Sequence, residues 1–318
     1  MRVPEGLGGF DRRRFLSLAA LGGSVLLVGG WASPHGLVAS PAAQDALDLD
    51  GTVTGLAIAG DRAVAVGRGA AGEPAIWHRG TDLAWRRAAT LAPEAVLGDV
   101  VAVPNGFVAV GSVAREPAAW RCTDGTTWGP AEVVGAGPGH LAAVAADGSQ
   151  VLACGARHDG ESGEGYEPLV VTGADASAWS AVSTGGLDGA SEGSLTAVAR
   201  QAGHWIVAST ATGRSGLWSA ADGTAWRPAA APGADTVAWA SLLPTAKGVL
   251  AVGTTVPDCR PTLARTSDSL TWLPVAVPQL VAEIGPALRT AAADVVSGTL
   301  SVLEEQLGGS TVTDLALT

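Results

Sequence analysis

Lysine is almost missing from this chain. Lys247 is the only one, and the 19 basic residues face 30 acidic ones, for a net charge of −11. Nucleic acids are held by clustered positive charge, so this balance excludes them as partners. Cysteine is scarce as well. Cys122, Cys154 and Cys259 are an odd set, which is a poor disulfide framework for a chain of 318 residues. Cys154 sits in the apolar run "VLACG" and reads as a small core residue, which leaves Cys122 with Cys259 as the one pairing to consider. No C-x-x-C, H-E-x-x-H or phosphate-loop pattern is present, so zinc and nucleotide chemistry lose their usual signals. No metal ligand set and no cofactor is assigned. No apolar run is long enough to span a bilayer as a helix; the longest, from about residue 15 to 28, falls short.

That run has a different character. Arg12, Arg13 and Arg14 precede Phe15 and Leu16, and a Gly/Ala-rich apolar stretch follows. Charged-then-apolar order is the layout of an export signal. Arg12-Arg13-x-Phe15-Leu16 resembles the twin-arginine signal, with Asp11 and Ser17 departing from the usual residues. The small-residue site Ser40-Pro41-Ala42 suits cleavage before Ala43. The expected organisation is an export signal over residues 1–42 and one domain over residues 43–318, in an extracytoplasmic location, with the membrane met only during export.

What the chain does have is glycine, tryptophan and repetition. Three signals recur in one order. A β-rich run ends at Gly67, Gly111, Gly155, Ser209 or Gly253. A short strand follows: "PAIW", "PAAW", "PLVV", "SGLW" or "PTLA". A polar turn then leads to Trp85, Trp128, Trp179, Trp226 or Trp272. From the end of the second signal to that Trp the interval is always eight residues, and insertions fall only before the second signal. A fixed interval beside a variable one means a rigid hairpin next to a tolerant loop. Successive turn tryptophans are 43, 51, 47 and 46 residues apart, the length of a four-stranded propeller blade.

The turns carry Asp82, Asp124, Asp175, Asp222 and Asp268. An aspartate in a tight turn accepts backbone N–H groups just ahead of it, and Gly125 and Gly223 supply positive φ. Each indole then wedges between blades. The aspartates are therefore read as structural. The turns resemble the Asp-box (BNR) repeats of sialidase-like propellers, Ser-x-Asp-x-Gly-x-Thr-Trp, with one residue fewer between Asp and Trp. The resemblance implies a propeller. It implies no activity, because such turns occur in glycosidases, sorting receptors and assembly factors alike.

After Trp272 the segments "RTAAADVV", "LSVLEEQ" and "STVTDLALT" supply three more strands, and "DALDLD" precedes the first blade. The expected fold is all-β, a six-bladed β-propeller with the N-terminal strand closing the last blade. The alternative is a helix within residues 280–296 and an irregular last blade.

Lettering the strands of a blade a to d, the b–c and d–a connections share the face where ligands usually enter. Five arginines fall in the b–c connections: Arg68, Arg115, Arg157, Arg214 and Arg260. Such a set suits an oxyanion, or is simply solvated and paired with Glu73 and Glu116. The longest insertion adds His158, Asp159, Glu161, Glu164, Tyr166 and Glu167, with Asp188 and Glu192 on the same face. Their spacing matches no calcium loop. Tyr166, the only tyrosine, lies in that insertion, whereas the sialidase nucleophile belongs to a late blade, so no catalytic residue is carried over. The five histidines are scattered in sequence. The reading is an exported, monomeric, non-catalytic binding or scaffold protein for a protein or glycan partner at the cell envelope. A divergent glycoside hydrolase and an assembly factor for a membrane complex are the alternatives.

Overall fold

The computed structural model describes residues 26–27, 47–49 and most of 51–316; outside it fall 60–61, 81–83, 89–90, 159–165, 175–176, 188–189, 191–192, 212–213, 234–235, 246–247, 256–260, 276–287, 295–298 and 307–308. Short strands β1 (Leu26–Leu27) and β2 (Leu47–Leu49) come first. Blade 1 is β3 (Gly51–Ala59), β4 (Arg62–Gly69), β5 (Pro74–Arg79) and β6 (Trp85–Arg87). Blade 2 is β7 (Ala95–Val103), β8 (Gly106–Val113), β9 (Glu116–Cys122) and β10 (Glu132–Val133). Blade 3 is β11 (Gly139–Asp147), β12 (Gln150–His158), β13 (Tyr166–Ala174) and β14 (Ser177–Ala181). Blade 4 is β15 (Gly193–Gln201), β16 (His204–Ala211), β17 (Arg214–Ala220) and β18 (Arg227–Pro228). Blade 5 is β19 (Val237–Thr245), β20 (Gly248–Thr255), β21 (Pro261–Thr266) and β22 (Leu273–Pro274). The last strands are β23 (Leu288–Asp294), β24 (Thr299–Gln306) and β25 (Gly309–Ala316).

Each blade is an antiparallel meander in which every strand pairs with its sequence neighbour. The middle strands are buried on both faces, as the unbroken apolar run of β8 shows. The inner strands β3, β7, β11, β15 and β19 touch in succession, which is the arrangement of a β-propeller.

The blade count differs from expectation. The structure shows five four-stranded blades, not six. The segments expected to make a sixth form a sheet of five, in the order β1-β23-β24-β25-β2. Its β2 pairs antiparallel with β25 through Leu47 and Val312. Residues 288–294, in the span where the alternative placed a helix, are strand, and 280–287 and 295–296 lie outside the described residues. The sheet departs from the blade pattern because β1 adds in parallel along β23, through Leu26 and Ala292. Leu26–Leu27 belong to the segment read as an export signal.

Apolar cores lie between successive blades rather than at one centre. Val64, Val66 and Ile76 of blade 1 meet Phe107, Trp120 and Trp128 of blade 2. The same pattern places Trp179 in the core of blades 2 and 3, Trp226 in that of blades 3 and 4, and Trp272 in that of blades 4 and 5. Each indole thus wedges against the preceding blade, burying about 200 Å2 of ring.

The turns ahead of these indoles repeat one geometry. Asp124 Oδ1 accepts the N–H groups of Thr126 and Thr127 at 2.8 and 2.7 Å. Asp222 does the same for Thr224 and Ala225, and Asp268 for Leu270 and Thr271. Gly125 and Gly223 have φ of 83° and 77°, the left-handed region the turn needs. Asp82 and Asp175 lie outside the described residues.

A second repeated device carries no obvious sequence signature. The a–b ladder slips by one residue near the start of the inner strand in all five blades and in β23: at Val53/Gly55, Leu97/Asp99, Leu141/Ala143, Leu195/Ala197, Trp239/Ser241 and Leu288/Thr290. Where the extra residue is threonine, its hydroxyl crosses to the next blade. Thr54 Oγ1 donates to Leu97 O at 3.0 Å and Thr196 Oγ1 to Trp239 O at 2.9 Å. In blade 2 the extra residue is Gly98, where a Cβ would lie 2.4 Å from Leu141 O. There the crossing is made by buried Asp99, whose Oδ2 accepts Val144 N–H of blade 3 at 2.9 Å.

Candidate functional site

The b–c and d–a connections lie on one face, and their described polar residues gather around blade 3. In the ladder of β12 and β13, His158 stands opposite Tyr166 and Arg157 opposite Glu167. Strand alternation sends these two pairs to opposite faces of the hairpin. Arg157 is taken up locally: its Nη2 and Nε lie 2.7 and 2.8 Å from Glu167 Oε2. His158 stacks on Tyr166, ring centroids 4.8 Å apart and tilted by 40°. Tyr166 is therefore the first residue of a strand and not part of an inserted loop.

Arg115 reaches this pair from blade 2. β8 and β9 are joined by only Ala114 and Arg115, whose φ values of 50° and 70° are both left-handed. A two-residue hairpin turn of this hand normally uses Asn and Gly, so two residues with a Cβ there store strain. The turn is fastened by Gly139 N–H, which donates to Arg115 O at 2.7 Å. His158 N–H donates to Pro138 O at 2.8 Å, which ties the blade 3 hairpin to the same segment. Arg115 Nη2 then lies 3.5 Å from His158 Nε2.

The inner strands complete the group. His140 on β11 pairs across the ladder with Ala156, which places it on the same face as His158. Its Nε2 lies 3.5 Å from Ser194 Oγ on β15 of blade 4. Burial holds the His140 pKa below the ordinary imidazole value, and the nearby charge of His158 adds to the effect. His140 is therefore neutral at pH 7. Ser194 Oγ also lies 3.2 Å from Leu195 O, so two acceptors compete for its hydroxyl proton and the His140 tautomer decides between them.

Of the arginines expected in the b–c connections, Arg68 is exposed, Arg115 engages His158, and Arg157 is in its ion pair. Arg214 is placed as backbone only, at the start of β17. Arg260 lies outside the described residues, as do Asp159, Glu161, Glu164, Asp188 and Glu192. Glu73 pairs with Arg87 at 2.5 Å, not with Arg68. Among the described residues no group of three or more His, Cys, Asp or Glu side chains is placed to hold a metal ion. Cys122 and Cys154 are free thiols buried in the blades, and Cys259 is not described.

Sequence reasoning pointed to Arg115, His158 and Tyr166 but missed His140 and Ser194. They stand on inner strands 54 residues apart. They occupy the same position in successive repeats, second in β11 and second in β15, and aligning the repeats at that position would have found them.

No family model matches this sequence, and no curated protein does. Solved structures do resemble it in fold. A sialidase of Trypanosoma rangeli in complex with 2,3-difluorosialic acid matches at 12% identity and a TM-score of 0.54, covering 92% of this chain. This chain spans only 59% of that sialidase chain. The Aleuria aurantia lectin, in complex with Fucalpha1-6GlcNAc, matches at 12% identity and 0.54, over 85% of this chain and 96% of its own. A luciferin-regenerating enzyme matches at 13% identity and 0.56, over 88% and 95%. Lectin and enzymes share the architecture, so these likenesses speak for a sialidase-like β-propeller fold and for nothing finer.

Proposed function

We propose that the chain is an exported, non-catalytic β-propeller that binds a protein or glycan partner at the cell envelope through the b–c/d–a face. The observation that carries this reading is the gathering of Arg115, His140, His158, Tyr166 and Ser194, from three successive blades, on that face. Guanidinium, imidazole, phenol and hydroxyl groups together present donors and a stacking surface, which is the chemistry of recognition. One feature speaks against turnover: Glu167, on the opposite face of the hairpin from the aromatic pair, is bound to Arg157. A general base has to be free to take a proton.

In this reading the turns of Asp124, Asp222 and Asp268 are Asp-box repeats in a shortened form, residues 1–42 are a twin-arginine-type signal, and the protein is a monomer.

The test is capture from the envelope fraction, together with a glycan array and a panel of fluorogenic glycosides. Each is run with wild type and with Arg115→Ala/His158→Ala/Tyr166→Ala. Binding that the triple variant loses, with no turnover by either protein, is the expected result. Hydrolysis that Tyr166→Phe or Glu167→Gln abolishes would replace the reading with an enzyme.

A further inference from the structure

The contact between Arg115 and His158 has a consequence for charge. A guanidinium nitrogen can only donate. A hydrogen bond across the 3.5 Å to His158 Nε2 needs that nitrogen as acceptor, which is the neutral imidazole with its proton on Nδ1. When His158 takes a second proton, the acceptor is gone. Two cationic donors then face one another across the space that the contact had filled. The strained turn at Ala114 and Arg115, held by Gly139 N–H, keeps Arg115 aimed at that point. His140 stands on the same face of blade 3 as His158, and the Tyr166 ring backs the imidazole.

We propose that Arg115 and His158 form a proton-linked oxyanion site, closed on itself when His158 is neutral and opened to a carboxylate, sulfate or phosphate group when His158 is protonated. The inference rests on the binding face proposed above and names its ligand class and its regulation. An oxyanion bridging the two cations accepts a hydrogen bond from each and removes their mutual repulsion. Ligand binding and proton binding then favour one another by linkage. Among the described residues, the groups facing His158 are Arg115 from the β8–β9 turn, His140 from β11 and Tyr166 from β13. The Arg157–Glu167 pair projects from the other face of the hairpin and is internally neutral.

Calorimetric titration of the full chain with sulfate, which stays fully ionised between pH 5 and 8, at constant ionic strength, tests the proposal. Glucuronate and inorganic phosphate in parallel distinguish a planar carboxylate from a tetrahedral oxyanion. Uptake of one proton sets the expected slope: affinity rises toward a limit of about tenfold per pH unit as pH falls from 7.5 to 5.5. In His158→Gln the slope disappears while weak binding remains. In Arg115→Ala binding is lost at every pH. The exposed Arg68→Ala leaves both unchanged. Sulfate affinity that is flat with pH in wild type, or equally steep in His158→Gln, would overturn the proton linkage. Absence of binding by all three anions would overturn the site. Either failure alongside intact partner capture leaves the binding face standing, whereas loss of capture alone strikes the face and not the linkage.

Discussion

Cys122 Sγ lies 3.1 Å from Asp124 Oδ1 and accepts the Gly125 N–H at 3.0 Å. In blade 5 the Oγ1 of Thr266 does both tasks, at 3.0 Å to Asp268 Oδ1 and 3.0 Å from Ser269 N. A thiol has taken the place of a hydroxyl in a turn that needs one group to donate to the aspartate and accept from the backbone.

Cys122→Ser therefore keeps the turn and melts at or above the wild-type temperature, because a hydroxyl makes the stronger pair of bonds. Cys122→Ala loses both and costs about 1 kcal/mol in urea unfolding. Burial pushes the thiols of Cys122 and Cys154 above the ordinary range, and the carboxylate of Asp124 adds to the effect at Cys122. Neither should react with a thiol-disulfide reagent until the protein is unfolded. Labelling of Cys122 in the native state at neutral pH would refute this account of the turn.

The turn aspartates should govern acid stability together. Backbone N–H donors, from Thr224 above all, hold Asp222 at about 2, and those of Thr271 and Leu270 hold Asp268 at about 2. The N–H groups of Thr127 and Thr126 pull Asp124 lower still. A carboxyl depressed in the folded state contributes stability that is complete above its unfolded value of about 4 and is lost as pH falls through the folded one. Asp124→Asn/Asp222→Asn/Asp268→Asn should therefore melt below wild type at pH 6. The gap should narrow below pH 4, persist in part at pH 2 and close only below it. A gap that is constant over this range would show that the charges play no part.

The inner-strand crossings give a third expectation. Thr196→Val removes the hydrogen bond to Trp239 O and costs about 1 kcal/mol, with its shape kept. Asp99→Ala is more severe, because buried Val144 N–H loses its acceptor, at a cost of about 1–3 kcal/mol. Gly98→Ala forces a methyl toward Leu141 O and lowers the melting temperature, whereas Ala142→Gly in the equivalent place of blade 3 makes no such clash. Urea unfolding of the four variants decides the order.

The blades were legible because their signals are local. An eight-residue interval, an aspartate and a tryptophan fit within one hairpin, and β5 with Trp85 or β9 with Trp128 can be placed from sequence alone. The antiparallel pairing of β2 with β25 was legible too, but not the number of blades. The addition of β1 along β23 was not, because parallel pairing over more than 260 residues leaves no local trace. At the candidate site Tyr166 was found through its rarity and Arg115 through its connection. The separation of Arg157 from His158 depends on strand alternation, which a reading of both as loop residues could not express. The ladder slips at Thr54 and Thr196 escaped because threonine is an ordinary strand residue and only the neighbouring blade reveals its use.

The outermost strands carry a consequence for solubility. Across the five blades β6 has three residues, β10, β18 and β22 have two each, and only β14, at Ser177–Ala181, reaches five. Unpaired backbone on a sheet edge is a template on which another chain can add and polymerise. Four of the five rims are too brief to serve as one. Any fibril-like growth from the described blades would start at blade 3, and a proline at Ala181, whose N–H points away from β13, would block it there.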